Sequence, residues 1–413
     1  MINALIRFSL NQRLLVIMLS LLLVVLGAWS FQNLPIDAVP DITNVQVQIN
    51  TRVRALAPAE IERLVTFPVE TAMSGLPGVE EIRSITNYGL SQVTVIFKDG
   101  TDIYFARQLI LERLQEAKDQ LPPDIGEPMM GPVSTGLGEI YFYTVEGENR
   151  TPTELRTIQD WLIKPELRNV PGVAEVSAIG GFQKEYHVLP DPAKLTSYGL
   201  TFRDVFEALA ANNANAGGAT IDHNGEQYVI RGIGLVRTVG DIENIILATR
   251  NNSPIYVHDV AEVNEGKELR TGAGTENGRE VVLATTMMRM GANSRTVSSD
   301  VDAKIHDIQK HLPPGIKIET AYRTDLVELT IDTVKQNLFE GGILVIVVLL
   351  LLLGNIRASL IVASAIPLSM VFAGIGMVRL GISGNLLSLG AIDFGLIVDG
   401  SVVMVENIVR RLA

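Results

Sequence analysis

The sequence predicts an α+β membrane protein, with apolar helices that cross a bilayer and one large loop of folded units outside the cytoplasm. Three observations predict it: long apolar blocks lie near both ends of the 413-residue chain, residues 37–337 between them carry alternating strand and helix patterns, and two short motifs occur twice in that region. Hydrophobic residues make up 47% of the chain. That is enough apolar surface to offset the entropy lost on folding, so we expect no extended disorder.

Four apolar blocks are the predicted membrane spans: residues 14–36, 341–356, 358–378 and 386–409. The first has no charged residue, and its length suffices to cross about 30 Å of hydrocarbon at about 1.5 Å per residue. Arginines precede the first block, separate the second from the third and follow the fourth. The positive-inside rule therefore places the N-terminus in the cytoplasm and residues 37–337 outside it.

The composition excludes several classes of function. The chain has 34 Lys and Arg against 46 Asp and Glu, a net charge of −12, whereas nucleic-acid binding needs basic patches, so we expect no nucleic-acid partner. Cysteine is absent, which excludes disulfide scaffolds and thiol nucleophiles. The five histidines lack metal-ligand spacing, so we interpret them as ordinary surface residues. Neither a Lys-bearing phosphate loop nor a Gly-x-Ser-x-Gly elbow occurs. We therefore expect no enzyme and no cofactor.

The outer loop contains an internal repeat. Residues 76–79 (LPGV) are echoed at 170–173 (VPGV), and residues 121–123 (LPP) at 312–314 (LPP). Pro-Gly stops a helix and turns the chain, so each motif marks a helix end. The patterns, which include a strand alternation at 45–49 and an amphipathic helix at 102–120, follow the order β-α-β-β-α, which a closing strand completes to a ferredoxin-like unit. The sequence thus predicts two βαββαβ units.

An insertion interrupts the second unit. It is predicted to contain helices at 201–212 and 241–247 and a hairpin turn at 223–226. The predicted division is the N-terminus with the first span (1–37), the first unit (38–135), the second unit (136–190 and 276–330), the insertion (191–275) and the remaining spans (338–413).

Three acidic residues lie within the fourth apolar block: Asp393, Asp399 and Glu406. A charge at the bilayer centre costs roughly 2.5–3.5 kcal/mol on insertion scales, so these groups must face protein or water. Asp399 and Glu406 share one helix face to within about 20°, whereas Asp393 lies about 120° around the helix. Asp399 is best placed to load and release a proton at mid-membrane. Glu406 has the alternative of an ion pair with Arg410, and Asp393 that of a capping role.

These features together resemble the resistance–nodulation–division (RND) transporters. Residues 34–47 (LPIDAVPDITNVQV) and the pattern Asp-Phe-Gly, Asp-Gly, Glu-Asn over residues 393–407 are similar to the heavy-metal efflux branch of the cobalt–zinc–cadmium type. Multidrug members instead carry Tyr-Pro near residues 39–41 and two adjacent aspartates in the fourth span. The resemblance implies a proton-driven cation antiporter in the Gram-negative inner membrane, with the large loop in the periplasm.

The resemblance also implies roles and partners. The two βαββαβ units would be porter subdomains and the insertion a docking subdomain, while Asp393, Asp399 and Glu406 would form the proton relay. Members of the family are homotrimers that work with a periplasmic adaptor (a membrane fusion protein) and an outer-membrane channel. They have a second half with further spans and another large loop, so we expect this chain to be the N-terminal part, as a fragment or a truncated gene product.

The transported cation is expected to be zinc, cobalt, cadmium or nickel. Copper and silver members tend to place Met two residues before the central acid, where this chain has Ile397. Glu139 and Glu175 are the candidate metal-path acids of the loop, with plain surface charge as the alternative.

Three points remain open at this level. Met287, Met288 and Met290 form a cluster in the loop, and methionines at alternating positions of a strand pack into the core more often than they bind metal. A multidrug exporter is one alternative function, and a truncated, non-transporting membrane-anchored scaffold is another. A scaffold, however, has no reason to carry acids within a membrane span.

Overall fold

The computed structural model describes most of the outer loop and two apolar helices. The described ranges are 11–34, 42–53, 56–122, 125–250, 252–270, 272–323 and 356–380, with isolated positions among 8–9, 336–351, 382–384 and 403–408. The described chain is α+β, as the sequence predicts. In chain order its elements are α1 (Arg13–Asn33), β1 (Gln46–Arg52), α2 (Pro58–Ile61, Glu62–Thr66 and Phe67–Met73), β2 (Val79–Asn87), β3 (Leu90–Phe97), α3 (Ile103–Lys118), β4 (Pro128–Met130), β5 (Glu139–Gly147), α4 (Pro152–Ile158, Gln159–Ile163 and Lys164–Arg168), β6 (Val173–Ile179), β7 (Lys184–Pro190), α5 (Pro192–Tyr198), α6 (Phe202–Ala211), β8 (Ala216–His223), β9 (Glu226–Gly232), α7 (Val239–Glu243), β10 (Ile246–Arg250), β11 (Ser253–Tyr256), α8 (Val257–Val260), β12 (Ala261–Lys267), β13 (Gly274–Glu276), β14 (Arg279–Met288), α9 (Ser294–Gln309), β15 (Ile316–Arg323) and α10 (Ile356–Leu380).

The first unit is an antiparallel sheet with the strand order β2-β3-β1-β4, next to the helices α2 and α3. In this order each helix connects two parallel strands that are separated by one antiparallel strand, which is the ferredoxin-like arrangement. Alternate strand residues such as Val47, Ile49, Val93 and Val95 pack against helix residues such as Ile110. The core therefore lies between one face of the sheet and the two helices.

The second unit repeats this order with β6, β14, β5 and β15. Short strand β13 pairs with the beginning of β14. Helices α4 and α9 cover one face, and the core includes Tyr141, Tyr143, Ile163, Leu167 and Val301. Strand order and helix placement are thus the same in the two units, although the insertion separates β6 from β14 along the chain.

The first helix of each unit has the same irregularity. Glu62–Thr66 in α2 and Gln159–Ile163 in α4 are π-helical, and Pro68 and Pro165 each stand two residues after the turn. Proline has no N–H, and its ring clashes with the carbonyl four residues earlier in a regular helix. The residue before each proline donates instead to the carbonyl five residues back, which is the π-helical pattern.

The insertion begins with β7, which pairs with β12 in a two-stranded antiparallel sheet. The predicted boundary at residue 190 lies after β7, so strand pairing associates residues 184–190 with the insertion. The hairpin β8–β9 projects with every residue exposed. A small core that includes Leu195, Val205 and Val257 holds the rest together.

Two helices of the insertion differ from the sequence prediction. The helix predicted at 241–247 is shorter, because Ile246 already begins β10. Helix α5 (Pro192–Tyr198) was not predicted, although both of its ends carry signals. The Asp191 carboxylate accepts hydrogen bonds from the first backbone N–H groups, and Gly199 ends the helix at a φ of 62°.

Helices α1 and α10 coincide with the first and third apolar blocks. Arg13–Ser30 and Ala358–Leu380 are long and apolar enough to cross a membrane, by length and composition alone. The two helices pack against each other at Gly27, where any side chain would collide with Val371. Most of the second and fourth blocks lies outside the described residues.

Candidate ion-path site

The described part of the candidate site lies around the central strand of the second unit. Glu139 begins β5 and Glu175 lies in β6, while β14 runs between these two strands. Met287 of β14 pairs in register with Glu139 on one side and with Glu175 on the other. The sheet thus brings the two predicted acids to either side of a single strand position. Both pairings lie at register shifts, which redirect side chains locally.

Glu175 is part of an ion pair with helix α4. Its Oε1 lies 3.0 Å from Lys164 Nζ and 3.9 Å from Arg168 Nε, and its side chain is 25% exposed. The same oxygen also accepts a hydrogen bond from the backbone N–H of Val176, at 3.1 Å. Glu175 is therefore a partly buried carboxylate held by two cations, and an arriving metal ion would have to compete with Lys164 for it.

Glu139 is the more available carboxylate. It is exposed, and among the described residues it has neither a side-chain hydrogen bond nor an ion pair. The backbone next to it is fixed, since the Gly138 carbonyl accepts from Met288 N–H at 2.6 Å and the Val133 carbonyl from Met290 N–H at 3.1 Å. A rigid strand end thus presents a carboxylate that can bind a cation without first losing a partner.

The methionines divide into two environments. Met288 packs against the hydrophobic core of the second unit, which confirms the core prediction for that residue. Met287 is partly buried between the two acids and is not among the core residues of that cluster. A thioether is a soft ligand that can supplement carboxylates for a borderline metal. Only the strand register, which sequence spacing does not give, associates Met287 with Glu139 and Glu175.

Buried polar side chains brace the sheet behind these acids. The Tyr141 hydroxyl donates to Asp302 at 2.7 Å and lies 2.7 Å from the Thr320 hydroxyl. The Tyr143 hydroxyl donates to Gln159 Oε1 at 3.0 Å, and burial raises the pKa of Tyr143 above its usual range. These bonds fasten α9 and α4 to β5, so the strand that begins at Glu139 is held from both helices.

The acids of the fourth apolar block, Asp393, Asp399 and Glu406, lie outside the described residues. Within the described part of the chain, no group of three or more His, Asp or Glu could hold a metal ion. Four of the histidines are exposed and His187 is half-buried, in accord with the prediction of ordinary surface residues.

Comparison with known proteins identifies the family. The sequence model of the AcrB/AcrD/AcrF family matches residues 5–413 of this chain. The chain is 59% identical to Protein HelA of Legionella pneumophila and 56% identical to the cobalt-zinc-cadmium resistance protein CzcA of Cupriavidus metallidurans, each over 100% of this chain and 40% of the relative. It is also 45% identical to the nickel and cobalt resistance protein CnrA of the latter organism, over 100% of this chain and 41% of that relative.

A solved structure agrees with these relatives. The crystal structure of a heavy metal efflux pump superposes with a TM-score of 0.90 at 36% identity, covering 98% of this chain and 41% of that one. The chain thus spans 40% of the length of the first relatives that it matches. It belongs to the AcrB/AcrD/AcrF family of RND transporters, within the heavy-metal efflux branch.

Proposed function

We propose that this chain is part of a pump that exports divalent heavy-metal cations from a Gram-negative cell in exchange for protons. The observation that carries the proposal is its 56% identity, along its whole length, to a protein named for cobalt, zinc and cadmium resistance. The close superposition on a heavy metal efflux pump supports it. Such a pump is a secondary transporter, and zinc, cobalt, cadmium or nickel would be its substrate.

Proton coupling is assigned to the acids of the fourth apolar block. Asp399 stands near the middle of that block, with Asp393 before it and Glu406 after it. A carboxyl group in a low-dielectric site favours its neutral form, so it can take up a proton from one side and release it when its surroundings rehydrate. Two of the three acids share a helix face, which suits a relay along one path.

The loop acids are proposed to receive the cation outside the membrane. Glu139 offers a carboxylate with no ion pair among the described residues, and Met287 lies between it and Glu175. Carboxylate oxygens are ligands of zinc and similar divalent cations, and the Met287 thioether would add a softer ligand beside them. The ion pair of Glu175 with Lys164 would keep the affinity for the cation low, as transport requires binding weak enough to release the ion.

We assign the two βαββαβ units to porter subdomains and the insertion to a docking subdomain of a homotrimer. An isolated two-stranded hairpin is marginally stable in water, yet β8–β9 projects with exposed Ile221, Tyr228 and Val229. Exposed apolar groups of this kind indicate an interface, here with a neighbouring protomer. A periplasmic adaptor and an outer-membrane channel complete the proposed complex, and α1 and α10 lie in the lipid bilayer.

Reconstitution of the full-length protein tests the proposal. Proteoliposomes are given a pH gradient, and zinc or cobalt movement is followed with an entrapped metal-sensitive dye. We expect metal flux that depends on the gradient and stops with a protonophore. Gradient-driven movement of dyes or detergents without metal flux would favour the multidrug alternative, and no flux of any substrate would favour the scaffold.

A further inference from the structure

The insertion is joined to the second unit by two chain crossings. The chain leaves the second unit after Ile179, at the end of β6, and returns to it at Gly274, where β13 begins. Between these points β7 and β12 form the two-stranded sheet at the base of the insertion. Fixing the orientation of the insertion requires that both crossings be held.

Close packing holds the leaving crossing. Gly180 and Gly181 have φ values of +85° and +65°, which residues with side chains rarely adopt. A Cβ at Gly180 would lie 2.5 Å from the Val281 carbonyl oxygen, and one at Gly181 would lie 2.7 Å from that of Pro152. Arg156 Nη1 also donates to the Gly180 carbonyl at 3.1 Å. Van der Waals contact and backbone geometry fix this crossing, and neither depends on salt.

Charged side chains hold the returning crossing. The Phe182 ring has two cations near its centroid, Lys267 Nζ at 4.7 Å and Arg270 Cζ at 5.4 Å. Arg270 Nη2 then donates to Glu280 Oε1 of β14 at 3.0 Å. A cation within about 6 Å of a ring centroid is attracted to the aromatic face. Because the Arg270 and Glu280 side chains are 43% and 31% exposed, solvent ions screen these interactions.

We propose that Phe182, Lys267, Arg270 and Glu280 form an electrostatic latch between the insertion and the second unit. When the latch is closed, both crossings are held and the insertion has one orientation. When dissolved salt or a competing charge opens it, the close packing at Gly180 and Gly181 remains, and the insertion pivots about that point. A hinge of this kind needs one fixed and one releasable attachment, and the two crossings supply one each.

Hydrogen exchange in the purified full-length protein tests the latch. The Glu268 N–H donates to the Gln183 carbonyl at 3.0 Å, directly beside Lys267 and Phe182 in the chain, so its exchange rate reports on the contact between the returning and the leaving crossing. In the wild type we expect this rate to rise about fivefold between low and high salt, the scale of one exposed cation–π contact. Phe182→Leu should give the fast rate at low salt and remove the salt dependence, whereas Phe182→Tyr should behave as the wild type. A slow rate in Phe182→Leu, or a salt effect that persists in it, would overturn the latch.

Two further variants keep the test decisive. Glu280→Gln removes the partner of Arg270 on the second unit and leaves the insertion unchanged. This variant should also exchange faster at Glu268. A wild-type exchange rate in it would overturn the proposal even if Phe182→Leu fails to fold. Arg203→Gln is the matched control, because it removes the 2.7 Å pair with Glu207 on the exposed face of α6. Faster exchange at Glu268 in Arg203→Gln would show a general charge effect and would count against the latch.

Discussion

A carboxyl group within a membrane span can transport protons only if both of its charge states are accessible. Asp399 lies near the middle of the fourth apolar block and has no basic residue three or four positions away in the sequence, whereas Glu406 stands four residues before Arg410. The proposed relay therefore depends most on Asp399. An amide at this position keeps the shape of the side chain but removes the titrating proton.

Asp399→Asn in the full-length protein should abolish metal resistance in cells and reduce gradient-driven flux in proteoliposomes to background. We expect membrane insertion and trimer formation to remain, which can be checked by size-exclusion chromatography. Asp393→Asn and Glu406→Gln are the matched variants and should have weaker effects, since each of these acids has an alternative role. Retained proton-coupled efflux in Asp399→Asn would disprove the relay assignment.

Glu139 and Glu175 can be separated from ordinary surface charges by comparing transport with stability. A solvent-accessible ion pair contributes about 0–1 kcal/mol, so losing the partly buried pair of Glu175 with Lys164 should lower the unfolding temperature only slightly. If the two acids receive the cation, Glu139→Gln and Glu175→Gln should each lower metal flux at low substrate concentration. Glu81→Gln, which removes the 2.6 Å pair with Arg83 in the first unit, is the control and should leave flux unchanged. Equal flux in all three variants would make the loop acids plain surface charges.

Sequence reasoning could select these loop acids but could not place them relative to one another. Glu139 and Glu175 were selected as acids of the loop, and the spacing along the chain does not say which strands are neighbours. The register that brings both next to Met287 passes through β14, which follows the insertion. The ion pair of Glu175 depends on where α4 packs, and no local pattern contains that information.

At the level of the elements, helix α4 begins with a capping box that depends on pH. The Thr151 hydroxyl accepts from Glu154 N–H at 3.2 Å, and Glu154 Oε2 accepts from Thr151 N–H at 2.8 Å. The Thr151 backbone N–H, followed by its side chain, lowers the pKa of Glu154 below its ordinary value of 4.5. Because the pKa of Glu154 is lower in the folded state than in the unfolded state, the ionised carboxylate stabilises the helix fully at any pH above the unfolded-state pKa. This contribution is lost as the pH falls through the folded-state pKa.

Acidification should therefore loosen the first turn of α4 in the wild type more than in Glu154→Gln, whose amide does not titrate. Hydrogen exchange of the amides of α4, corrected for the intrinsic effect of pH, measures this between neutral pH and a pH below 4.5. Asp204 is a second test, because the Thr201 cap lowers its pKa in the same way at the start of α6. The same pH response in wild type and Glu154→Gln would show that titration of Glu154 does not control the first turn of α4.

The buried bond between Tyr143 and Gln159 permits a test of polar burial in the second unit. Both residues are fully buried, and Gln159 Nε2 has no partner among the described residues. Tyr143→Phe leaves the Gln159 oxygen unpaired as well, which should cost about 1–3 kcal/mol. The double variant Tyr143→Phe/Gln159→Met removes both polar groups and should recover most of that loss. Hydrogen exchange of β5 measures both, and a double variant less stable than Tyr143→Phe would contradict this account.

Helices and strands with a strong local pattern were predicted well, and elements defined by pairing were not. The alternation in Val45–Ile49 and the amphipathic pattern of 102–120 predicted β1 and α3 to within three residues at each end. The pairing of β7 with β12 has no such signal, since its two strands are separated by the rest of the insertion. The π turns of α2 and α4 could have been suspected from Pro68 and Pro165, but a proline alone also fits a kink or a helix end.

At the scale of the whole molecule, the two units have the same strand order and separate cores. Each closes its own sheet over two helices, and the interruption of the second unit does not alter its strand order. Residues 131–138 connect the units, held to the first by the bond between Gly131 N–H and the Gln48 carbonyl, at 2.7 Å, and to the second by the Val133 carbonyl. We therefore expect each unit to fold locally without the rest of the protein.

A polypeptide consisting only of residues 1–413 should insert into the membrane and transport nothing. It spans 40% of the length of its relatives, so the acids of the fourth block would lack surrounding helices, and their burial cost of roughly 2.5–3.5 kcal/mol each would be uncompensated. We expect a poorly stable membrane protein whose outer loop still folds, because the loop units have cores of their own. Limited proteolysis of spheroplasts should therefore cut the chain between the outer loop and the apolar blocks and spare residues 42–323. The full-length protein serves as the control for flux. Proton-dependent zinc or cobalt flux by the short polypeptide would show that its spans form a complete path.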